Sequence, residues 1–529
     1  MRTRVLLLLI ILVTILLRLP ALGWGVGNGD RVGQFEPDEW VHANIAVEFI
    51  NRFDKSLAPD KSVERQWTTQ GFGVLIGALS YPVLKIDGLL AYPVIVLVAR
   101  LLSLFTSVAL ILLVFWIAKL FFEDIRVALL SATFIGIFDL TATYSHYGTP
   151  DILHTFWFYA SVFALSVYFY PEFYRHKNRF FQQHSLIIAA LSSGLAIAFR
   201  YEITPLILFA IFWIVMIVKN GFSKKLVFDG LIFVTIVTTT LFFMTGFGYS
   251  VVDFTKTTQK LIEDNPDPQF GSVFFYKPLL YLAVIIAGTS LPIFLLSAWA
   301  LILLVRKDLT IRKPVLFFLV ALFIVFIILE LGPVVTVRRA NVFMPFVSLI
   351  SSYGLIKFLD RFNQKLTKGV LTGFVIGYTL LVTLFSQYYF YNSNDPRYQA
   401  ENFINSNFSG KRIYYSNYAQ TERMTRGSPP KIGTAPEIVV MHETLYSRYW
   451  KSLATPFKIP VCCDEVFHCV NVTHCKNLQE ILEGGVTYRL IRKFEVKHPL
   501  PERIVFKKLF GNYETFLGDL LVYQKESSI

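Results

Sequence analysis

The chain alternates long apolar runs with short polar gaps. The runs at 5–22 and 89–122 each hold eighteen or more residues, enough to cross about 30 Å of hydrocarbon as a helix. The pattern therefore predicts a polytopic α-helical membrane protein of about eleven transmembrane helices. We place these helices at 5–22, 91–118, 126–143, 152–170, two short ones within 185–218, 227–246, 278–305, 314–332, 341–358 and 369–388.

The charges between the runs predict the orientation. The N-terminus and the gaps at 119–126, 172–184, 219–226, 306–313 and 357–368 together carry 18 basic and 5 acidic residues. Basic loops stay on the cytosolic side, so we expect these gaps in the cytosol. The stretch 23–90 carries 9 acidic and 6 basic residues and suits an external loop with two or three short amphipathic helices. An odd number of helices leaves the C-terminus outside.

Composition agrees with a membrane protein. Hydrophobic residues make up 54% of the 529 and charged residues 16%, where soluble domains have about 25% charged residues. The net charge of +13 resides largely in the gaps and does not indicate a nucleic-acid partner. The first apolar segment ends in Leu-Pro-Ala-Leu-Gly-Trp without a clear small-x-small cleavage site, so we expect it to remain as an anchor.

The pattern changes after residue 390. Period-two segments KRIYYSNYA, EIVVMH and DLLVYQK appear among turn residues and predict strands. We therefore divide the chain into a transmembrane module at 1–390 and an exported soluble α/β domain at 391–529.

All four cysteines of the chain lie in one stretch of this second part: Cys462, Cys463, Cys469 and Cys475. Exported domains use cysteines in disulfides, which is the pairing we expect. His468 and His474 each precede a cysteine, and this alternation of nitrogen and sulfur ligands is the zinc-site alternative.

Two adjacent carboxylates follow the first apolar run. In F-E-P-D-E-W-V-H, Asp38 and Glu39 point about 100° apart on a helix, so one can face a reaction centre while the other braces an amide or a cation. His42, one turn after Asp38, shares its face and could orient the carboxylate or help bind a phosphate. The alternative is that Pro37-Asp38-Glu39 merely opens a helix, where acidic residues complement the dipole.

Further charged residues lie where helices turn on the predicted external side. Asp151 ends S-H-Y-G-T-P-D, where it is a third catalytic candidate or simply a helix cap. Arg338 and Arg339 violate the positive-inside bias and suit a phosphorylated lipid head group, or contact with the lipid surface. Arg200 and Glu202 are expected to form an ion pair that supports the same cavity.

The order of these motifs resembles that of the GT-C glycosyltransferases. The first-loop Asp-Glu pair is followed by A-R-L-L-S-L-F-T-S, then Y-S-H-Y-G-T-P-D-I-L, then R-R-A-N-V-F-M-P-F-V-S-L. The similarity covers about residues 5–390 and is greatest to the protein O-mannosyltransferase and lipid A aminoarabinose transferase branch. It implies a GT-C fold.

The resemblance also implies roles for single residues. It makes Asp38 the catalytic base, places Asp151 near the active site and assigns donor-phosphate binding to Arg338 or Arg339. Where many relatives carry Lys-Pro-Pro-Leu, this chain has Q-W-T-T-Q-G-F-G, and Arg65 is the candidate substitute for the missing phosphate-contacting lysine.

These observations predict an inverting glycosyltransferase. It would move a sugar from a polyprenyl- or dolichyl-phosphate carrier to a lipid, glycan or protein acceptor at the outer face of the plasma membrane, or of the endoplasmic reticulum in a eukaryote. No cofactor is predicted, although the sequence leaves room for a divalent metal. The rival prediction is a transporter or flippase of lipid-linked sugars, but transporters commonly show paired repeats and midplane charges, whereas these candidates concentrate at one face.

Overall fold

The fold is taken from a computed structural model. It describes residues 2–26, 37–51, 54, 70–87, 92–173, 179–200, 203–245, 276–307, 309–331, 337–391, 393–416, 418–421, 436–443, 488–511 and 517–526. Helices dominate the described part before residue 391. They are α1 Arg2–Leu22, α2 Pro37–Asn51, α3 Gln70–Asp87, α4 Tyr92–Phe122, α5 Ile125–Ile137, α6 Asp139–Tyr144, α7 Asp151–Phe169, α8 Arg179–Arg200, α9 Thr204–Asn220, α10 Lys224–Met244, α11 Tyr276–Thr289, α12 Leu291–Lys307, α13 Leu309–Leu331, the 3-10 helix Val337–Phe343, α14 Met344–Leu359 and α15 Lys365–Gln387.

Eight described helices are long and apolar enough to cross a membrane, and the bent pair α11 and α12 brings the number to nine if it counts as one span. The protein is therefore a multi-pass membrane protein. Two further predicted spans are shorter apolar helices, Ile125–Ile137 and Thr204–Lys219. The predicted total of about eleven is not confirmed.

The predicted spans at 126–143 and 278–305 are both broken. Phe138 is extended, at φ −65° and ψ 129°, and separates α5 from α6. The second span bends by 116° between Thr289 and Leu291. Hydroxyl groups of α15 reach both breaks, since Thr383 donates to the Ile137 carbonyl and the hydroxyls of Thr379 and Ser290 lie 2.9 Å apart. Side chains of a distant helix stabilise these breaks, so the continuous apolar pattern of the two spans does not predict them.

The predicted first loop contributes two packed helices. In α2, residues 42–47 are all buried, and Ala43, Ala46 and Val47 pack with Phe72 and Ile76 of α3. The two helices approach closely because Gly77 has no side chain. A Cβ there would lie 3.0 Å from the Ala46 carbonyl oxygen. The described part of α2 is thus buried among helices on more than one face.

After residue 391 the described chain forms a mixed sheet with two helices. These elements are α16 Pro396–Asn407, β1 Ile413–Tyr415, β2 Ile438–His442, β3 Tyr488–Phe494, α17 Pro501–Phe510 and β4 Leu520–Lys525. The strand order is β1-β2-β4-β3, with β1 parallel to β2 and the other pairs antiparallel. Strands β1, β2 and β4 lie in the three period-two segments. β3 was not predicted, because its buried residues do not alternate.

The sheet-bearing segment contacts the transmembrane helices directly. The Trp24 indole donates to an Asp395 carboxylate oxygen at 2.9 Å, and the Arg397 guanidinium lies 4.9 Å from the centre of the Trp24 ring. The Tyr389 hydroxyl donates to the Lys497 carbonyl at 2.9 Å and accepts from the Lys497 amide at 2.7 Å. These contacts fix one part of the chain against the other.

Close packing of α14 on α12 provides a test of the helix arrangement. A Cβ at Gly354 would lie 2.6 Å from the Leu296 carbonyl oxygen, and backbone cannot yield as a side chain can. Gly354→Ala should therefore lower the free energy of unfolding by about 1–3 kcal/mol. The measurement is thermal unfolding of the detergent-solubilised protein.

Gly373→Ala in α15 is the matched control, since no heavy atom lies within 4 Å of a Cβ there. It should leave the unfolding temperature unchanged or raise it, because alanine favours a helix. Equal unfolding temperatures for the two variants would contradict the packing of α14 on α12.

Candidate functional site

The first segment of the candidate site is the start of α2. Glu39 is 2% exposed, and both of its carboxylate oxygens accept hydrogen bonds from Arg100 of α4. Arg100 Nε lies 2.8 Å from Oε1 and Nη2 lies 2.7 Å from Oε2. This two-point contact is the strong geometry of an arginine-carboxylate pair and fixes both side chains in orientation.

The third nitrogen of the Arg100 guanidinium holds the end of α1. Nη1 donates to the carbonyls of Leu22 and Trp24 at 2.8 Å each, and to that of Ala21 at 3.3 Å. The last carbonyls of a helix have no partner within the helix and carry its negative dipole end. Arg100 therefore joins the end of α1 to the start of α2.

The turn between α6 and α7 closes on the same pair. The Gly148 amide donates to Glu39 Oε1 at 2.6 Å, and the Ser103 hydroxyl donates to the Thr149 carbonyl at 3.3 Å. Glycine is required at 148 because a Cβ would lie 2.9 Å from the Ala99 Cβ and 3.2 Å from Glu39 Oε1. The turn is thus held against both α2 and α4.

Asp151 is the first residue of α7 and is 2% exposed. Its carboxylate pairs with Arg200 at the end of α8. This ion pair joins the start of α7 to the end of α8. Glu202, the expected partner of Arg200, lies outside the described residues, so that pair stays a prediction. Asp151 is fixed by a cation, and the N-cap of α7 is Pro150 with no side-chain capping bond.

Two histidines lie on the segments that carry these carboxylates, His42 in α2 and His146 in the turn before α7. His42 is buried and packs edge-on against Phe72, with ring centres 5.1 Å apart. His146, in the turn before α7, is fully buried. Burial, together with the positive charges of Arg100 and Arg18, holds the pKa of His146 well below its usual value. His146 is therefore neutral at physiological pH and adds no charge to the turn.

Arg338 and Arg339 lie in the 3-10 helix before α14 and are half-buried. This helix packs beside α7. The Tyr159 hydroxyl of α7 donates to the Val342 carbonyl at 2.9 Å and accepts from the Phe346 amide at 3.1 Å. The α7 helix therefore carries Asp151 at its start and fixes the segment with the two arginines farther along.

Several predicted residues cannot be placed. The backbone of Asp38 belongs to α2, but its side chain lies outside the described part, as do Arg65, Glu202 and the four cysteines, Cys462, Cys463, Cys469 and Cys475. The pairing of the cysteines and the zinc alternative stay predictions. Among the described residues, no three His, Cys, Asp or Glu side chains come together as a group that could hold a metal ion.

Sequence reasoning missed Arg100 as a site residue. It stands inside the apolar run that became α4, and a charge within such a run is a functional candidate by default. It also missed the ion pair between Asp139 of α6 and Arg503 of α17, both of them fully buried. Asp139 is also a charged residue inside a predicted membrane span, so the same rule could have identified it. The sequence around Arg503 gives no indication that this residue contacts a membrane helix.

Fold and site together define a multi-pass membrane protein with a buried, charge-paired cluster where α2, α4, α7 and α8 meet. No protein-family model matches the chain, and no curated protein matches it in sequence. The fold is similar to that of ArnT from Cupriavidus metallidurans in the apo state, at 12% identity and a TM-score of 0.50, over 85% of this chain and 98% of that one. At this identity the likeness concerns the fold alone, and a fold shared with ArnT agrees with the expectation from the resemblance to the lipid A aminoarabinose transferase branch.

Two other solved structures also match. The oligosaccharyltransferase AglB from Archaeoglobus fulgidus, in complex with an inhibitory peptide and a dolichol-phosphate, is 12% identical with a TM-score of 0.49, over 99% of this chain and 88% of that one. The Saccharomyces cerevisiae protein O-mannosyltransferase Pmt1-Pmt2 complex, bound to the sugar donor, is 17% identical with a TM-score of 0.34, over 52% of this chain and 36% of that one.

The Glu39-Arg100 pair gives a direct test of the site geometry. Arg100→Gln leaves a buried carboxylate without its cation, which should destabilise the protein by about 3–5 kcal/mol. Thermal unfolding in detergent measures the effect.

Arg126→Gln is the control. Arg126 pairs with Asp124 and Asp360 but is 55% exposed, and an exposed pair contributes about 0–1 kcal/mol. If both variants unfold at the same temperature, Arg100 is not the buried brace described above.

Proposed function

We propose that the protein is an inverting glycosyltransferase that moves a sugar from a polyprenyl- or dolichyl-phosphate carrier to a hydroxyl of a lipid, glycan or protein acceptor. The observation that carries the proposal is the attachment of the start of α2 to the turn before Asp151 through Glu39, Arg100 and the Gly148 amide. It holds the start of α2, which includes the backbone of Asp38, against the turn that leads to the buried carboxylate of Asp151. The GT-C fold shared with ArnT supports the same reaction class.

Asp38 is the base in this proposal. The acceptor hydroxyl gives its proton to the Asp38 carboxylate as its oxygen attacks the anomeric carbon. The bond from that carbon to the phosphate oxygen breaks on the opposite face of the sugar, and the carrier leaves as a lipid phosphate. A phosphate is a good leaving group, so the departing oxygen needs no proton from a general acid.

Arg338 and Arg339 stabilise the departing phosphate. Negative charge grows on the phosphate oxygens in the transition state, and fixed guanidinium groups lower its energy electrostatically. Tyr159 supports their position, because its hydroxyl bonds on both sides hold the segment to α7. We extend the site to Arg65 as a further phosphate contact.

Glu39 and Asp151 have positioning roles in this scheme. The two oxygens of Glu39 are occupied by Arg100 and Gly148, so Glu39 braces the helix start and leaves the proton transfer to Asp38. Asp151, paired with Arg200, shapes the acceptor side of the same turn. His42 supports α2 by packing on Phe72.

The basic gaps support a reaction on the external side. Arginine and lysine concentrate in the gaps expected in the cytosol, while Asp38, Asp151 and Arg338 lie in segments expected on the other side. In this arrangement residues 391–529 form an extracytoplasmic domain, on the plasma membrane or within the endoplasmic reticulum.

Product analysis separates the proposal from its rival. Membranes that contain the protein are supplied with a radiolabelled polyprenyl-phosphate sugar, and labelled products are identified by mass spectrometry. A transferase forms a new glycoside of inverted anomeric configuration and releases the polyprenyl phosphate. A flippase moves the labelled lipid to the other leaflet without forming a new glycosidic bond, and that result would exclude the transferase.

Asp38→Asn should abolish sugar transfer while the protein still folds, because the change removes the base and almost no volume. The turnover number with saturating donor and the unfolding temperature measure the two properties. Glu48→Gln, on the same helix, is the control and should retain turnover. Near-normal turnover in Asp38→Asn, with loss in Glu39→Gln, would assign the base to the other carboxylate.

The double variant Arg338→Gln with Arg339→Gln should bind the donor more weakly. A hydrogen bond to a charged group contributes roughly 1.5–3 kcal/mol, so each arginine that contacts the phosphate changes the donor constant about ten- to hundredfold. Initial rates at varied donor concentration provide that constant. The control changes two arginines of the basic gaps, Arg126→Gln with Arg361→Gln. An unchanged donor constant in the first double variant would remove Arg338 and Arg339 from the phosphate site.

A further inference from the structure

A buried ion pair connects α17, in the sheet-bearing segment, with α6. Arg503 Nη2 pairs with Asp139 Oδ2, and the two side chains are 1% and 0% exposed. The same nitrogen donates to the Ser386 hydroxyl of α15 at 3.2 Å. Removing two charges from water costs several kcal/mol per ion, so such a pair persists only where its geometry is well supported.

Arg503 is itself held in place from both sides. Its neighbour Glu502 accepts a hydrogen bond from the Tyr378 hydroxyl of α15 at 2.9 Å. The chain that leads into α17 is fixed at Lys497 by the paired bonds to the Tyr389 hydroxyl. The α17 helix also packs beside α11. The Arg503 guanidinium therefore contacts α6 from a helix that is itself held in position.

The α6 helix depends on such outside contacts. It has six residues, is cut off from α5 at Phe138, and a helix this short is not stable by its own hydrogen bonds. Asp139 is its first residue. One turn later the Thr143 hydroxyl lies 3.4 Å from Asp139 Oδ1 and accepts from the Gln387 amide at 3.3 Å. Side chains of α15 and α17 thus help to hold α6 in place.

The position of α6 sets the position of the site turn. The chain runs from α6 into Ser145, whose amide donates to the Thr141 carbonyl at 3.1 Å, and then into the turn that ends at Asp151. The far side of that turn is bound by Glu39 through the Gly148 amide. The turn is therefore held by α2 on one side and, through α6, by Arg503 on the other.

We propose that Arg503 is a positioning residue for sugar transfer, which through Asp139 and α6 holds the Asp151 turn in register with the start of α2. This rests on the proposed function. It makes the sheet-bearing segment part of the machinery that aligns the acceptor with the base. The donor arginines lie on another segment, which Tyr159 of α7 also holds, so the loss of Arg503 should lower kcat by a larger factor than it raises the donor KM.

The experiment compares Arg503→Gln with the double variant Arg503→Gln, Asp139→Asn in the full-length protein. Arg503→Gln leaves an unpaired buried carboxylate and should lower both the unfolding temperature and kcat. The double variant leaves no unpaired charge, so its unfolding temperature should return toward that of the unchanged protein. Its kcat should stay reduced by about tenfold or more, because the turn is no longer held and small misplacements of reacting groups are costly. Lys508→Gln, an exposed residue of α17, is the control and should change neither.

Hydrogen-deuterium exchange gives a second readout that does not depend on activity. The double variant should exchange faster than the unchanged protein across 139–150, with no change across α5. Unchanged exchange at 139–150, or full recovery of kcat in the double variant, would overturn the positioning role. If the unchanged protein forms no glycoside, the proposed function fails, whereas the exchange comparison still decides whether Arg503 holds the turn.

Discussion

The arrangement of the site depends on one buried charge pair, between Glu39 and Arg100. All three guanidinium nitrogens of Arg100 donate hydrogen bonds. Two donate to the Glu39 carboxylate, and the third donates to the carbonyls of Leu22, the last residue of α1, and of Trp24 just after it. In an apolar interior, either charge without its partner would strongly destabilise the folded protein. The pair therefore forces the end of α1, the start of α2 and the side of α4 together, and the Gly148 amide adds the turn before α7 to the same carboxylate.

Two further buried carboxylates around this turn are also paired with arginines. Asp151 is paired with Arg200, and Asp139 with Arg503, so three acidic residues near the turn are each matched by an arginine from a distant element. Each pair joins segments that are far apart in sequence. Reactive groups need to be held within a fraction of an ångström, and rigid, mutually satisfied charges in a low-dielectric interior provide that constraint without requiring long helices.

The adjacent carboxylates Asp38 and Glu39 show which features can be predicted from sequence and which require the structure. Adjacency on a helix predicts that one of Asp38 and Glu39 can brace while the other faces a reaction centre, and the structure identifies Glu39 as the braced one. Arg200 pairs with Asp151 of another helix, a partner that nearness along the chain does not indicate. The breaks at Phe138 and Ser290 were likewise invisible in a continuous apolar pattern.

The sequence by itself determined the membrane class of the protein, most span positions, the three strands with alternating pattern and the short set of candidate acids and arginines. These features follow from the solvent preference of each residue and from local periodicity, which are properties of neighbouring positions. The tertiary structure decided which cation meets which carboxylate, where a span is interrupted and how Arg503 reaches the membrane helices. Those outcomes depend on partners up to several hundred residues away, and a pairing between buried charges is selected by the geometry of the whole fold.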